Sequence, residues 1–123
     1  MFPQMRLRRL RRRNILPLLT ETFITKKDLI FPLFFDEGAD GPVLIQAMPG
    51  QFRWPLRMAG EIAGRLKSAG IRSVLLFGIP KEKDSQASGA FASDGVVQKA
   101  TRAIREACQD MVVITDLCAC EYT

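Results

Sequence analysis

At 123 residues and 47% hydrophobic content, the chain is sized and composed for one soluble globular domain. No run approaches the roughly 18 apolar residues of a membrane span, and an odd number of cysteines, three, argues against a disulfide framework. There is no His, which removes the commonest general base and metal ligand, so no Ser-His or Cys-His catalysis can be assembled from these residues.

The net charge of +5 is unevenly placed. Residues 1–27 hold eight Lys and Arg against one acid, a net +7, whereas residues 28–123 hold ten against twelve, a net −2. The basic character therefore belongs to an arm, 1–27, and the globular part to 28–123. Arg6, Arg8, Arg9, Arg11, Arg12 and Arg13 are interrupted only by Leu7 and Leu10. Three readings are open: a nucleic-acid arm, an organelle transit segment, or an arm whose guanidinium groups pair with a neighbouring subunit. The last is favoured over nucleic acid because aromatic interleaving is absent beyond Phe2. Residues 1–14 of it are expected to pack little against their own chain. Thr25 followed by Asp28 gives a capping-box pattern for a short helical turn. With free thiols and no stretch resembling a secretory signal, a reducing cytoplasm is the expected compartment.

Ile30-Phe31-Pro32-Leu33-Phe34-Phe35 reads as a first strand, with Pro32 tolerated only near a strand start or edge. Residues 36–54 are rich in Gly and Pro and read as a long connection, extended at Val43-Leu44-Ile45; connections of this length usually serve function or an interface. Ala59, Ile62, Ala63 and Leu66 share one face of a helix over 56–69, closed by Gly70 as a left-handed cap. A second buried strand spans 72–77. Residues 81–92 are small and polar and read as a loop at the active end of the sheet, where Lys83-Asp84 could touch a substrate or stay solvated. Ser93 or Asp94 is expected to cap a helix running to about residue 108, with Val97, Ala100, Ile104 and Ala107 or Cys108 as its buried stripe. Cys108 itself reads as a small core residue. A third strand, 111–116, closes the series.

Helices alternating with strands of buried type imply right-handed βαβ units and a parallel sheet. Three strands and two helices cannot close a barrel of eight; they read as the opening third of one.

Past the last strand comes Asp116-Leu117-Cys118-Ala119-Cys120-Glu121-Tyr122-Thr123. The carboxyl ends of parallel strands are where such folds bind ligands. If the extended conformation continues, Cys118 and Cys120 point to the same side and can reach one ion. Two thiolates suit zinc but fall short of the three protein ligands of even a catalytic zinc site. Two buried small side chains is the bland alternative.

These pieces, taken in order, resemble the amino-terminal portion of the porphobilinogen synthase (δ-aminolevulinic acid dehydratase) family. The resemblance rests on Arg8-Arg9-Leu10-Arg11-Arg12, Asp28 to Phe34, Met48-Pro49-Gly50, Ile79-Pro80, Lys83-Asp84, Asp94-Gly95 with Val97 to Ala100, and Ile114-Thr115-Asp116 with Cys118, Cys120, Tyr122 and Thr123. It implies a TIM (β/α)8 barrel with an arm that self-associates in a homo-oligomer, and the condensation of two 5-aminolevulinate molecules to porphobilinogen in tetrapyrrole and heme synthesis. It also implies that Cys118 and Cys120 are two of three cysteine ligands to zinc, that Asp116 is an active-site wall carboxylate, and that Lys83, Asp84 and Ser88 lie near the mouth.

Three positions depart from the family pattern: Ala87 where Gly is usual, Phe91 where Tyr is usual, and Glu121 where Pro is usual. The third zinc ligand and the Schiff-base lysines are expected beyond Thr123, and no lysine here matches their motifs. The chain therefore reads as a truncated or split piece, inactive alone, with 5-aminolevulinate as substrate and neither nucleic acid nor membrane as partner. The alternative is a non-catalytic metal-binding or oligomer-interaction module.

Overall fold

In the computed structural model, which describes residues 14–123, the strand Ile30–Asp36 (β1) is the centre of a five-stranded sheet. The Arg-rich run from Arg6 to Arg13 lies outside the described residues, and with it the arm expectation for residues 1–13. The adjoining segment forms two 3-10 turns, Leu16–Leu19 and Lys26–Asp28. Leu18, Phe23 and Ile24 on it are 83%, 74% and 76% exposed, so this segment shields little of its own apolar surface. The expected capping box is present: the Asp28 carboxylate accepts from the Thr25 amide (2.8 Å), and the Thr25 hydroxyl oxygen accepts from Lys27 N–H (3.3 Å).

The other strands are Val43–Leu44 (β2), Phe52–Pro55 (β3), Ser73–Ile79 (β4) and Val112–Thr115 (β5), in the order β2-β3-β1-β4-β5. β1, β3, β4 and β5 are mutually parallel where they pair, and β2 is an antiparallel edge on β3. β2 falls on the Val43-Leu44-Ile45 stretch expected to be extended, whereas β3 begins inside the stretch expected to be a connection. β3 was masked by its brevity and by Pro49-Gly50 and Pro55 around it, which read as punctuation. β3 pairs with β1 only from Phe34 onward, so Pro32 has an open flank where its missing N–H costs no ladder bond.

Helix α1 (Ala59–Ser68) follows a 3-10 turn at Leu56–Met58, α2 is a single turn at Ser88–Phe91, and α3 spans Val96–Ala107. The cap of α3 is Gly95, without a side-chain hydrogen bond, rather than Ser93 or Asp94. α1 ends in a Schellman motif: Gly70 has φ +92, its N–H donates to the Lys67 carbonyl, and Ile71 N–H donates to that of Leu66.

The two faces of the sheet differ. On one, Leu33 and Phe35 of β1 and Val74 and Leu76 of β4 are fully buried under α1 and α3, together with Ile104 and Ala100. Cys108 belongs to this core, at 3% exposure. On the other, Pro32, Phe34, Leu75, Phe77 and Ile114 are equally apolar yet only half-buried, with Phe34 and Phe77 stacked at 4.9 Å. Apolar residues on both faces are the pattern of a parallel strand covered on both sides.

At the opposite end of the sheet from the cysteines, Asp110 accepts from Lys67 (2.5 Å) and Arg72 (2.7 Å), tying α1 to the approach of β5. The Lys67 hydrogen bond holds its carboxyl below the ordinary value of 3.8. A depressed folded-state pKa gives stability that is present above the unfolded value and lost as pH falls through the folded one. Asp110→Asn is therefore expected to lower stability at neutral pH slightly and leave it unchanged at pH 2.5, so that the acid limb below about pH 4 is flatter. Urea midpoints measured from pH 7 down to pH 2.5 would show it; an unaltered acid limb would contradict it.

Candidate functional site

β5 delivers the chain to the carboxyl end of the parallel strands, where Asp116 N–H still donates to the Leu76 carbonyl (3.4 Å). The strand stops at Thr115, so the alternation expected to align the two thiols does not reach them. A turn does so instead, closed by Tyr122 N–H donating to the Ala119 carbonyl (2.9 Å). Cys118 and Cys120 are both exposed, which removes the reading of two buried small side chains. They are also neighbours. The Cys120 thiol is pushed up, first by its hydrogen bond with Cys118 and then by repulsion from a Cys118 thiolate.

Tyr122 anchors this turn. It is 6% exposed and lies against Gly78 of β4 and against Gly89 of α2. Its hydroxyl is pushed up mainly by burial, with Glu121 and Glu37 adding. Its carbonyl accepts from Asp84 N–H (3.1 Å), which joins the polar loop to the cysteine turn. Asp84 faces its own loop: the carboxylate accepts from Ser88 N–H (3.2 Å) and Gln86 N–H (2.8 Å), which hold its pKa down. Lys83 is exposed. The role of Tyr122 as an anchor, and of Gly78 as the space it needs, was not legible from residue type or spacing.

A cleft of about 660 Å³ opens beside this turn. Asp116, Leu117 and Cys118 form one wall, and Val97, Gln98, Thr101 and Arg102 of α3 the other. Gln98 Oε1 and Thr101 Oγ1 are buried there without a hydrogen-bond partner among the described residues. No set of three His, Cys, Asp or Glu side chains able to hold a metal occurs among the described residues. The donor chemistry of Cys118 and Cys120 fits a thiolate-seeking ion in kind, and contributes two of the donors that zinc needs.

Ala87 explains one departure from the family pattern. Its φ is 53° and its ψ 39°, the left-handed region in which a Cβ costs about 1–2 kcal/mol. Glycine removes that cost, but it also loses a buried methyl, worth about 0.8 kcal/mol, and adds chain entropy of about 0.5–1 kcal/mol. Ala87→Gly is therefore expected to change stability by less than about 1 kcal/mol, while Ala87→Val, β-branched at positive φ, loses at least about 2 kcal/mol. Thermal denaturation of the two variants checks the ordering, and equal losses would refute it.

The sheet, its helices on one face, and a polar turn at the carboxyl strand ends define a parallel α/β protein built from the units of a (β/α)8 barrel. The family model for delta-aminolevulinic acid dehydratase matches residues 4–123, and the chain belongs to that family. The delta-aminolevulinic acid dehydratase of Methanothermus sociabilis is 43% identical over 99% of this chain, and that of Synechocystis sp. is 42% identical over all of it. The chain spans about 38% of the length of each. A crystal structure of the Toxoplasma gondii ME49 enzyme, also called porphobilinogen synthase, in complex with the reaction product porphobilinogen, superposes with a TM-score of 0.85 at 29% identity. It covers 98% of this chain and 35% of its own.

Proposed function

We propose that this chain forms the metal-binding side of a porphobilinogen synthase active site, in an enzyme that condenses two 5-aminolevulinate molecules with loss of water. The observation that carries this is the neighbouring thiol pair Cys118 and Cys120, held by Tyr122 at the carboxyl end of a parallel sheet in a chain of this family. In this reading Cys118 and Cys120 hold zinc, which when bound supplies Lewis-acid polarisation. Asp116 stands at the wall of the site and accepts hydrogen bonds from substrate. Tyr122 and Gly78 fix the turn, and Lys83, Asp84 and Ser88 border the mouth. No lysine lines the cleft, so the imine-forming nucleophile comes from elsewhere in the enzyme. Residues 1–27 form the arm and 28–123 the barrel portion. The arm serves self-association, for which the exposed Leu18, Phe23 and Ile24 supply apolar surface. No helix among the described residues is long and apolar enough to cross a membrane, and a cytoplasmic site of action fits a biosynthetic enzyme of this kind.

Zinc competition tests the thiol pair directly. The chain is expected to bind zinc weakly, and Cys118→Ala with Cys120→Ala is expected to abolish that binding. Equal zinc uptake by the double variant would remove the thiols from the metal site.

A further inference from the structure

The loop that follows β4 is fastened unequally along its length. Its far limb is tied to α3 twice: Gln98 Nε2 donates to the Ala90 carbonyl (2.7 Å), and Arg102 donates to that of Ser93 (3.0 Å). Its middle closes on itself, through the Asp84 carboxylate and the amides of Gln86 and Ser88. Its near limb, Lys81 to Lys83, is exposed, and Lys81 N–H is the only amide there with a hydrogen-bond partner among the described residues. That partner is Glu37, just past β1. Its Oε2 accepts from Lys81 N–H (3.3 Å), and its Oε1 accepts from Lys99 Nζ (3.2 Å) in the first turn of α3. Glu37 N–H donates to the Ile79 carbonyl (3.0 Å), which extends the β1-β4 ladder by one bond and fixes the base of the side chain on the sheet. A short span beyond Lys81, Asp84 N–H reaches the Tyr122 carbonyl (3.1 Å).

We propose that Glu37 is a positioning residue for the cysteine turn: by holding the near limb at Lys81, it sets the Asp84 amide against the Tyr122 carbonyl and so fixes the turn that carries Cys118 and Cys120. Packing over Gly78 and Gly89 places the Tyr122 ring. It leaves the Tyr122 backbone free to rotate, and that residue's own N–H closes the turn on Ala119 (2.9 Å). The bond from Asp84 restricts that rotation, and it holds only while the near limb is held. The carboxylate charge matters at the Lys81 amide, because a hydrogen bond to an ionised acceptor is stronger than a neutral one. Lys99 orients the carboxylate and adds little of its own, since the pair is 37% and 32% exposed and surface pairs contribute little. What the turn binds rests on the proposed function. Its positioning by Glu37 rests on the hydrogen bonds alone.

The test follows amide exchange in the full 123-residue chain, with zinc competition beside it. Glu37→Ala is expected to speed exchange of the Asp84 amide about tenfold, the factor for losing a charged acceptor. The Tyr122 amide should follow in the same direction and zinc binding should weaken, while the β4 core amides and the urea midpoint hardly change. Glu37→Gln keeps an oxygen able to accept from Lys81 N–H and is expected to recover most of the protection and of the zinc affinity. Lys99→Met spares the acceptor and is expected to cost at most about threefold in Asp84 exchange. Glu61→Ala, which removes an exposed ion pair with Arg65 on α1, should change none of these. An Asp84 amide that exchanges freely in the unaltered chain, or equally in Glu37→Ala, overturns the proposal. So does a loss as large in Lys99→Met, or an acceleration spread evenly over the β4 core, which would be global destabilisation. Released Asp84 and Tyr122 amides with unchanged zinc binding would show that this bond does not set the thiols, and also overturn it. The expected exchange pattern in a chain that binds no zinc at all leaves the role of Glu37 standing and removes the proposed function.

Discussion

Gly78→Ala is expected to destabilise the chain by about 3 kcal/mol, the upper end for overpacking a filled interior. A Cβ at this position would sit 2.5 Å from Val97 Cγ2, 2.6 Å from Val96 Cγ1 and 2.9 Å from Tyr122 Oη. Two of these atoms belong to β-branched side chains in the first turn of α3, which have one strongly preferred rotamer in a helix and cannot swing aside. The third is the tip of the tyrosine that holds the cysteine turn. The strand itself is central, registered with β1 along its whole length, so it cannot retreat. Relief must come from lifting α3 or expelling Tyr122. Urea denaturation measures the loss, and zinc competition should show the thiol pair bound less tightly even where the variant is folded. A loss below about 1 kcal/mol, the lower end for overpacking, would mean that α3 is not seated as described.

The largest functional effect is expected from Cys118→Ala with Cys120→Ala in a full-length protein that joins this chain to the remainder of the Methanothermus sociabilis enzyme. Turnover of 5-aminolevulinate should fall by about 100-fold or more, about 2.7 kcal/mol of transition-state stabilisation. In the proposed function the imine-forming lysine is not activated by the thiols, so borohydride trapping of an imine should persist. The split between the two readouts is the informative result. Loss of both would assign the cysteines a structural role, and loss of neither would remove them from the reaction.

Much of the architecture was legible because local and long-range signals agree in it. The capping box at Thr25 and Asp28, the left-handed Gly70, the core stripe of Ala100 and Ile104, and the parallel β1-β4-β5 order all follow from pattern. β3 was not legible because four residues, Phe52 to Pro55, are too few for a period and are stabilised by pairing with distant β1. The α3 cap was misplaced because Ser93 and Asp94 are better intrinsic caps than Gly95, yet the close approach of Gly95 to the Gly89 carbonyl sets the helix start. At the site, residue types pointed to Cys118 and Cys120, but the strand alternation invoked to align them ends at Thr115. What aligns them is the burial of Tyr122 over Gly78, a tertiary contact between residues 44 apart that no local pattern announces.

The central claim is that this chain contributes the thiols and the wall of the site but not the imine-forming nucleophile. The most direct measurement is 5-aminolevulinate turnover, with borohydride trapping, by the purified 123-residue chain across a zinc titration, alone and then with the rest of the barrel supplied. The account predicts no porphobilinogen and no covalent labelling from the chain alone at any zinc level, with both appearing once the remainder is present and the label falling on the added polypeptide. Porphobilinogen formed by the chain alone, or a label on one of its own lysines, would contradict it.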